Sequence, residues 1–262
     1  MMTFGGHLEV LRKMLFRVTG VVAVLMIVIF CFKDTTFTLL LAPSKYDFVT
    51  YRWIESVIAA TGFDFRFEQF QVNLIATDLS SQFMTHITTS IYLALLIASP
   101  YIVYELFKFI SPALYENEQR YSLKVVVAVY LLFVLGVLMT YYVLFPISFR
   151  FLGTYQVSEV VVSNITLDSY ITTFITLTLL MAVIFQLPIL AFFLAKIGVV
   201  NSEMLSKYRK HALIVIMLVA AIITPPDLMT LILVTIPMYA LYEVSILIVR
   251  KATSSSHIPN ND

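Results

Sequence analysis

The chain reads as an all-α membrane protein of six transmembrane helices, with both termini cytoplasmic, short fifth and sixth helices and a concave overall shape. Three observations predict this. Of 262 residues, 60% are hydrophobic and only 13% charged, whereas a soluble domain usually carries about 25% charged residues. That much apolar surface cannot be buried inside one soluble core. The apolar residues also gather into runs near the ~20 residues a helix needs to cross a hydrocarbon layer of roughly 30 Å. Finally, 12 of the 17 Lys and Arg residues fall on one side of the resulting topology, which makes that side cytoplasmic.

The first run, Val18 to about Asp34, follows an amphipathic stretch, "FGGHLEVLRKMLFR", with Phe4, Leu8, Leu11, Leu15 and Val18 at spacings of three or four. Glu9 faces Lys13 and Arg12 there, in helical pairs worth only a few tenths of a kcal/mol each. No small-residue cleavage site follows the run, so it is expected to be a retained helix. The remaining spans are expected at 84–104, 122–145, 170–195, 211–224 and 228–249. Together they form a single integral membrane domain over 1–250, with a polar, disordered tail over 251–262. Strand-type alternation is missing from these runs, and an open sheet edge would leave backbone groups unsatisfied in lipid.

Between the first two spans lies a long external segment from Lys33 to Gln82. Its "FVTYRWIESVIAA" predicts an amphipathic helix on the outer interface, anchored by Tyr51 and Trp53. A second external segment covers Ser148 to Ser169 and a third is the tight turn "TPPD". Fourteen residues from His211 to Thr224 make about 21 Å of helix, so that turn should lie below the outer surface. Pro237 should bend the sixth span.

The candidate chemistry is sparse. The histidines are scattered over four segments, the single cysteine Cys31 lies in an apolar run, and no phosphate loop or nucleophile–base set is visible. Neither a cofactor nor a metal is expected, and the chain does not read as an enzyme. Gln186 is the strongly polar residue near mid-depth. Its amide either caps backbone groups freed by Pro188 or hydrogen-bonds another transmembrane helix. On the cytoplasmic side, "FKFISPALYENEQR" sets Lys108, Glu116, Glu118 and Arg120 into one short connection. Glu116 and Glu118 lie about 200° apart on a helix and cannot share a face. Glu118 can pair with Arg120 or Lys124, or accept a bidentate guanidinium from elsewhere.

The stretches "HLEVLRKMLFR", "SPYIVYELFKFISPALYENEQR", "TYYVLFPISFRF", "FQLPIL", "ITPPD" and "PMYALYEVSI" follow one another in an order that resembles the TatC family. That family is the multispanning subunit of the twin-arginine protein translocase, and the resemblance covers residues 7 to about 248. It implies a receptor that binds the twin-arginine signal peptides of folded cargo proteins, assembles with single-span partners of the TatA and TatB type, self-associates in a larger complex and uses the proton-motive force. It also implies the bacterial inner membrane. On this resemblance Glu118, Phe109, Pro112, Leu114 and Arg120 belong to the signal-binding loop, and Glu9 and Arg12 to an N-terminal signal-binding motif. Gln186 and Thr224 would meet partner helices, while Pro188, Pro225, Pro226 and Asp227 shape the turns. The sequence departs from the family pattern at Val10, where an acid is usual, and at Gln119, Gln186 and Thr230-Leu231. A small-solute transporter is the rival reading, but the two halves of the chain share no repeat of broken helices.

Overall fold

A computed structural model describes residues 4–62, 70, 72–110, 122–156, 158 and 164–254. The described chain is helical apart from one parallel pairing of two residues on each side, β1 (Leu74–Ile75) with β2 (Ile165–Thr166). Five helical stretches are long and apolar enough to cross a membrane: Leu8–Cys31, Ser81–Leu106, Val125–Thr154, Leu167–Lys196 and Leu228–Lys251. The chain separates into two compact units. One comprises Met1–Ala42, Asn73–Leu131 and Asn164–Thr172; the other comprises Pro43–Val72, Leu132–Ser163 and Thr173–Asp262.

In the first unit, α1 (Phe4–Cys31) runs unbroken from the amphipathic stretch into the first span, because no proline interrupts it. The chain turns at Phe32 into α2 (Lys33–Leu41). α1 packs along α4 (Ser81–Ile110), whose buried face is built from small residues such as Thr89, Ser90, Ala94 and Ala98. Such residues let helix backbones approach closely where lipid offers no hydrophobic drive to pack. Pro100 lies inside α4 and cannot donate to the carbonyl four residues back, Leu96. The Ser99 hydroxyl donates to that carbonyl instead, at 2.6 Å, so the span continues past its proline. Where the first unit closes, the buried Tyr170 hydroxyl donates to the Leu40 carbonyl at 2.8 Å.

The second unit contains α3 (Val49–Ala60), the amphipathic helix expected in the external segment. Tyr51 is not an interfacial anchor there: it is 1% exposed. Its hydroxyl donates to the Pro146 carbonyl at 2.8 Å and lies 3.1 Å from that of Pro43. A phenol with two carbonyls within reach is worth more inside than at a wet surface. Burial pushes its pKa well above the ordinary phenol range, with the Arg150 guanidinium pulling the other way. That guanidinium lies over the rings of Tyr51 and Phe70 at 5.3 and 4.7 Å.

The helix that receives α3 is the third span, which extends beyond its expected end at Phe145. α5 (Ser122–Met139) passes through a π turn (Thr140–Leu144) into α6 (Phe145–Thr154). Pro146 has no amide for the Tyr142 carbonyl four residues back, and Thr50 Oγ1 donates to that carbonyl. The proline keeps the helix going only with help from α3, a dependence that no local pattern reveals.

The fourth span is two helices, α7 (Leu167–Ile184) and α8 (Leu187–Lys196), parted at Phe185-Gln186. α8 lies along α11 (Leu228–Ser254). α9 (Ser202–Lys207) is capped by Asn201, whose side chain accepts from the Met204 amide at 2.7 Å. The expected short fifth helix is α10 (Arg209–Ile223), 15 residues long. The expected shortness of the sixth is corrected: α11 has 27 residues. Pro237 stands inside it without ending it, because helical turns on either side keep their own bonds, among them Thr235 Oγ1 to the Leu231 carbonyl at 2.7 Å.

Candidate functional site

The polar groups of the first unit gather on α1 and on the end of α4. Glu9 and Lys13 pair at 2.8 Å, both well exposed. Arg12 is exposed, with its guanidinium 5.6 Å from the Phe16 ring. One turn further on, Arg17 Nε donates to the Lys13 carbonyl at 3.3 Å, and its Nη1 lies 3.3 Å from Glu105 of α4. Glu105 is 4% exposed and also accepts from the Tyr101 hydroxyl at 3.2 Å. Phe109 follows on α4, half-buried. Pro112, Leu114, Glu118 and Arg120 lie outside the described residues.

The Arg17–Glu105 pair was not anticipated. The available signal was two opposite charges near the same end of consecutive spans, Arg17 lying four residues past Lys13. Sequence cannot say that their helices pack side by side, which is what turns two separate charges into an ion pair. Burying a carboxylate in an apolar setting is costly unless it is paired and hydrogen-bonded, and Glu105 has both.

In the second unit the other predicted residues cluster at two helix breaks. At the first, the Gln186 amide turns back to the Val183 carbonyl at 2.9 Å, leaving the Ala182 carbonyl without its usual partner. Gln186 Nε2 donates to that carbonyl at 3.2 Å. The side chain therefore caps a carbonyl freed by the break, though at Ala182 and not at Ile184, the one Pro188 deprives. Its Oε1 is buried with no hydrogen-bond partner among the described residues. The break sits just beyond a close helix contact. A Cβ on Gly136 of α5 would lie 2.8 Å from the Met181 carbonyl oxygen and 2.9 Å from Ala182 Cα.

At the second break, "ITPPD", Thr224 is buried and extended, and its hydroxyl donates to the Ala220 carbonyl at 3.0 Å. Pro225 and Pro226 cannot extend α10. Asp227 restarts the chain as α11: its Oδ1 accepts from the Thr230 amide at 2.6 Å, an N-cap bond. Asp227 Oδ2 and Thr230 Oγ1 are buried without hydrogen-bond partners among the described residues. Gln186 and Thr224 each bond to a carbonyl four residues back, and no hydrogen bond joins them to each other. At its opposite end α10 is tied to α11: Arg209 holds Glu243 through two bonds of 2.8 and 2.9 Å. The Tyr242 hydroxyl donates to the Leu205 carbonyl at 2.8 Å beside them.

No group of three or more metal-ligating side chains occurs among the described residues. The arrangement offers charged side chains at one place and unsatisfied polar atoms within apolar helices at another.

A family model described as Sec-independent protein translocase protein (TatC) matches residues 6–237. The Sec-independent protein translocase protein TatC of Blattabacterium sp. subsp. Periplaneta americana (strain BPLAN) is 34% identical over 251 residues, covering 94% of each chain. That of Helicobacter pylori (strain J99) is 37% identical over 200 residues, 76% of this chain and 80% of its own. The crystal structure of the twin-arginine translocase receptor TatC superposes with a TM-score of 0.72 at 29% identity, covering 94% of this chain and 99% of that one. Fold and matches together define a multi-pass integral protein of the bacterial inner membrane that serves protein translocation. The chain belongs to the TatC family.

Proposed function

We propose that this chain is the signal-peptide receptor and core subunit of a twin-arginine translocase, exporting folded proteins with the proton-motive force. The observation that carries the proposal is the near full-length likeness, in sequence and in fold, to a solved twin-arginine translocase receptor. In this reading the chain is one integral membrane domain crossing six times, with both termini cytoplasmic. Glu118 accepts an arginine of the signal peptide, with Phe109, Pro112, Leu114 and Arg120 shaping the loop around it. Glu9 and Arg12 contribute from α1. Glu9 is one position away from the family's usual acid and already neutralises Lys13, so Glu118 has the larger part.

Gln186 and Thr224 would receive the helices of single-span partners of the TatA and TatB type. The free Gln186 Oε1 supports this reading, since a buried amide oxygen without a partner favours any donor brought against it. The same breaks rely on Pro188, Pro225, Pro226 and Asp227. Self-association into a larger complex belongs to the same proposal.

The test is photo-crosslinking of a twin-arginine signal peptide to positions flanking Glu118, together with binding by Glu118→Ala and Glu118→Lys variants. Crosslinks confined to this loop, and binding reduced about tenfold or more by loss of a charged, bidentate acceptor, are expected. A folded Glu118→Lys variant that binds like the wild type would sink the assignment.

A further inference from the structure

α3 sorts its side chains into three sectors, one more than an ordinary amphipathic helix has. At about 100° per residue, Thr50, Ile54, Ile58 and Tyr51 form one sector. Thr50 and Tyr51 are buried and Ile54 and Ile58 half-buried, with the half-buried Glu55 adjoining them, and two of the four bond to carbonyls of the third span. Glu55, Ala59, Arg52 and Ser56 form the next sector, polar apart from one alanine. Val49, Ala60, Trp53 and Val57 complete the circle. This third sector is apolar and exposed: Val49 is 54%, Trp53 64% and Val57 48% accessible.

A helix at a boundary between protein and water needs two faces. Three segregated faces fit a place where protein, water and an apolar medium meet. The height of α3 agrees. Its anchor points, the carbonyls of Tyr142 and Pro146, lie about 26 and 32 Å along the helix from Val125, where the apolar stretch of the third span begins, at 1.5 Å per residue. A hydrocarbon layer is roughly 30 Å thick. Counted from Val125, α3 is thus fastened where a layer of that thickness would end, while the apolar stretch itself runs on to Thr154.

We infer that the Val49–Trp53–Val57–Ala60 face of α3 is a lipid-docking surface, seated in the membrane interface at that end of the third span. Trp53 is the amphipathic ring at headgroup level. Arg52, exposed in the polar sector about 60° from Val49, can reach lipid phosphates with its long side chain. A second copy of the chain or a partner protein would leave the three-way sorting and the height unexplained. The inference needs only that the chain spans a membrane, and it stands whether or not signal peptides bind.

Trp53 is the only tryptophan in the sequence, so the unmodified protein carries its own probe. Its emission is measured in lipid nanodiscs made with phosphatidylcholines brominated either near the headgroup end or near the terminal methyl of the chain, and with iodide added to the aqueous phase. A lipid-seated Trp53 has blue-shifted emission, loses most of its intensity to bromines near the headgroup end, loses less to those near the methyl, and is little affected by iodide. Quenching by iodide alone would place the face in water and overturn the inference. Insensitivity to both quenchers would mean that protein covers the face, and would overturn it equally.

Discussion

Glu105 is a buried carboxylate held by two partners, the Arg17 guanidinium at 3.3 Å and the Tyr101 hydroxyl at 3.2 Å. With Arg17 replaced by alanine, the acid would remain 4% exposed with one phenol for company. Breaking a buried pair from one side costs about 3–5 kcal/mol, and the half-exposed state of Arg17 reduces this to about 2 kcal/mol. Arg17→Ala should therefore lower the thermal unfolding midpoint of the purified protein in detergent. The double variant Arg17→Leu/Glu105→Leu should recover most of that loss, because replacing both charges removes the desolvation penalty along with the attraction. A single variant as stable as the wild type would show that the pair contributes nothing. Gln186 follows the same logic at the other end of the polarity scale. One half of its amide caps Ala182, and the other half is buried with no hydrogen-bond partner among the described residues.

The second unit's helices are set by a few backbone contacts that side-chain patterns do not advertise. α5 reaches α7 closely enough at Gly136 that a methyl group would strike backbone at 2.8 Å. Gly136→Ala should push the two helices apart and destabilise by about 2 kcal/mol, as overpacking of a tight contact does. Gly20→Ala in α1 is the matched control: nothing lies within 4 Å of its added Cβ, so only helix propensity acts, favouring alanine by about 1 kcal/mol. Opposite shifts of the thermal midpoint are expected, and equal shifts would refute the close-packing account. Five of the six expected spans were legible from apolar run length, which is a local property. Tyr51 was misread because its ring, at one residue's spacing from Trp53, carries the same interfacial preference; only the carbonyls of Pro43 and Pro146 draw it inside. The break at Phe185-Gln186 was legible only as a proline nearby, and the π turn at Thr140–Leu144 not at all.

For the molecule as a whole, the open quantity is the number of crossings, and α10 decides it. Its 15 residues make about 22 Å of helix, short of a hydrocarbon core of roughly 30 Å. In the proposed topology it is a crossing, a reading that two observations support. Arg209 at its start is bonded to Glu243, and Asp227 lies at the turn that joins the two helices. α10 thus runs antiparallel to the first part of α11, up to Glu243, with Arg250 and Lys251 about two turns beyond, toward the side that also bears Lys207, Arg209 and Lys210. In that topology the basic residues at both open ends of the hairpin lie on the cytoplasmic side, and its turn would reach toward the other, with the bilayer thinned or the turn set low. The parity of crossings is directly measurable. In a Cys31→Ser background, a Ser254→Cys variant should react with a membrane-impermeant maleimide only after spheroplasts are lysed, while Glu55→Cys should react in intact ones. Labelling of Ser254→Cys in intact spheroplasts would put the tail outside, leave five crossings, and reduce α10 to a helix that enters and returns.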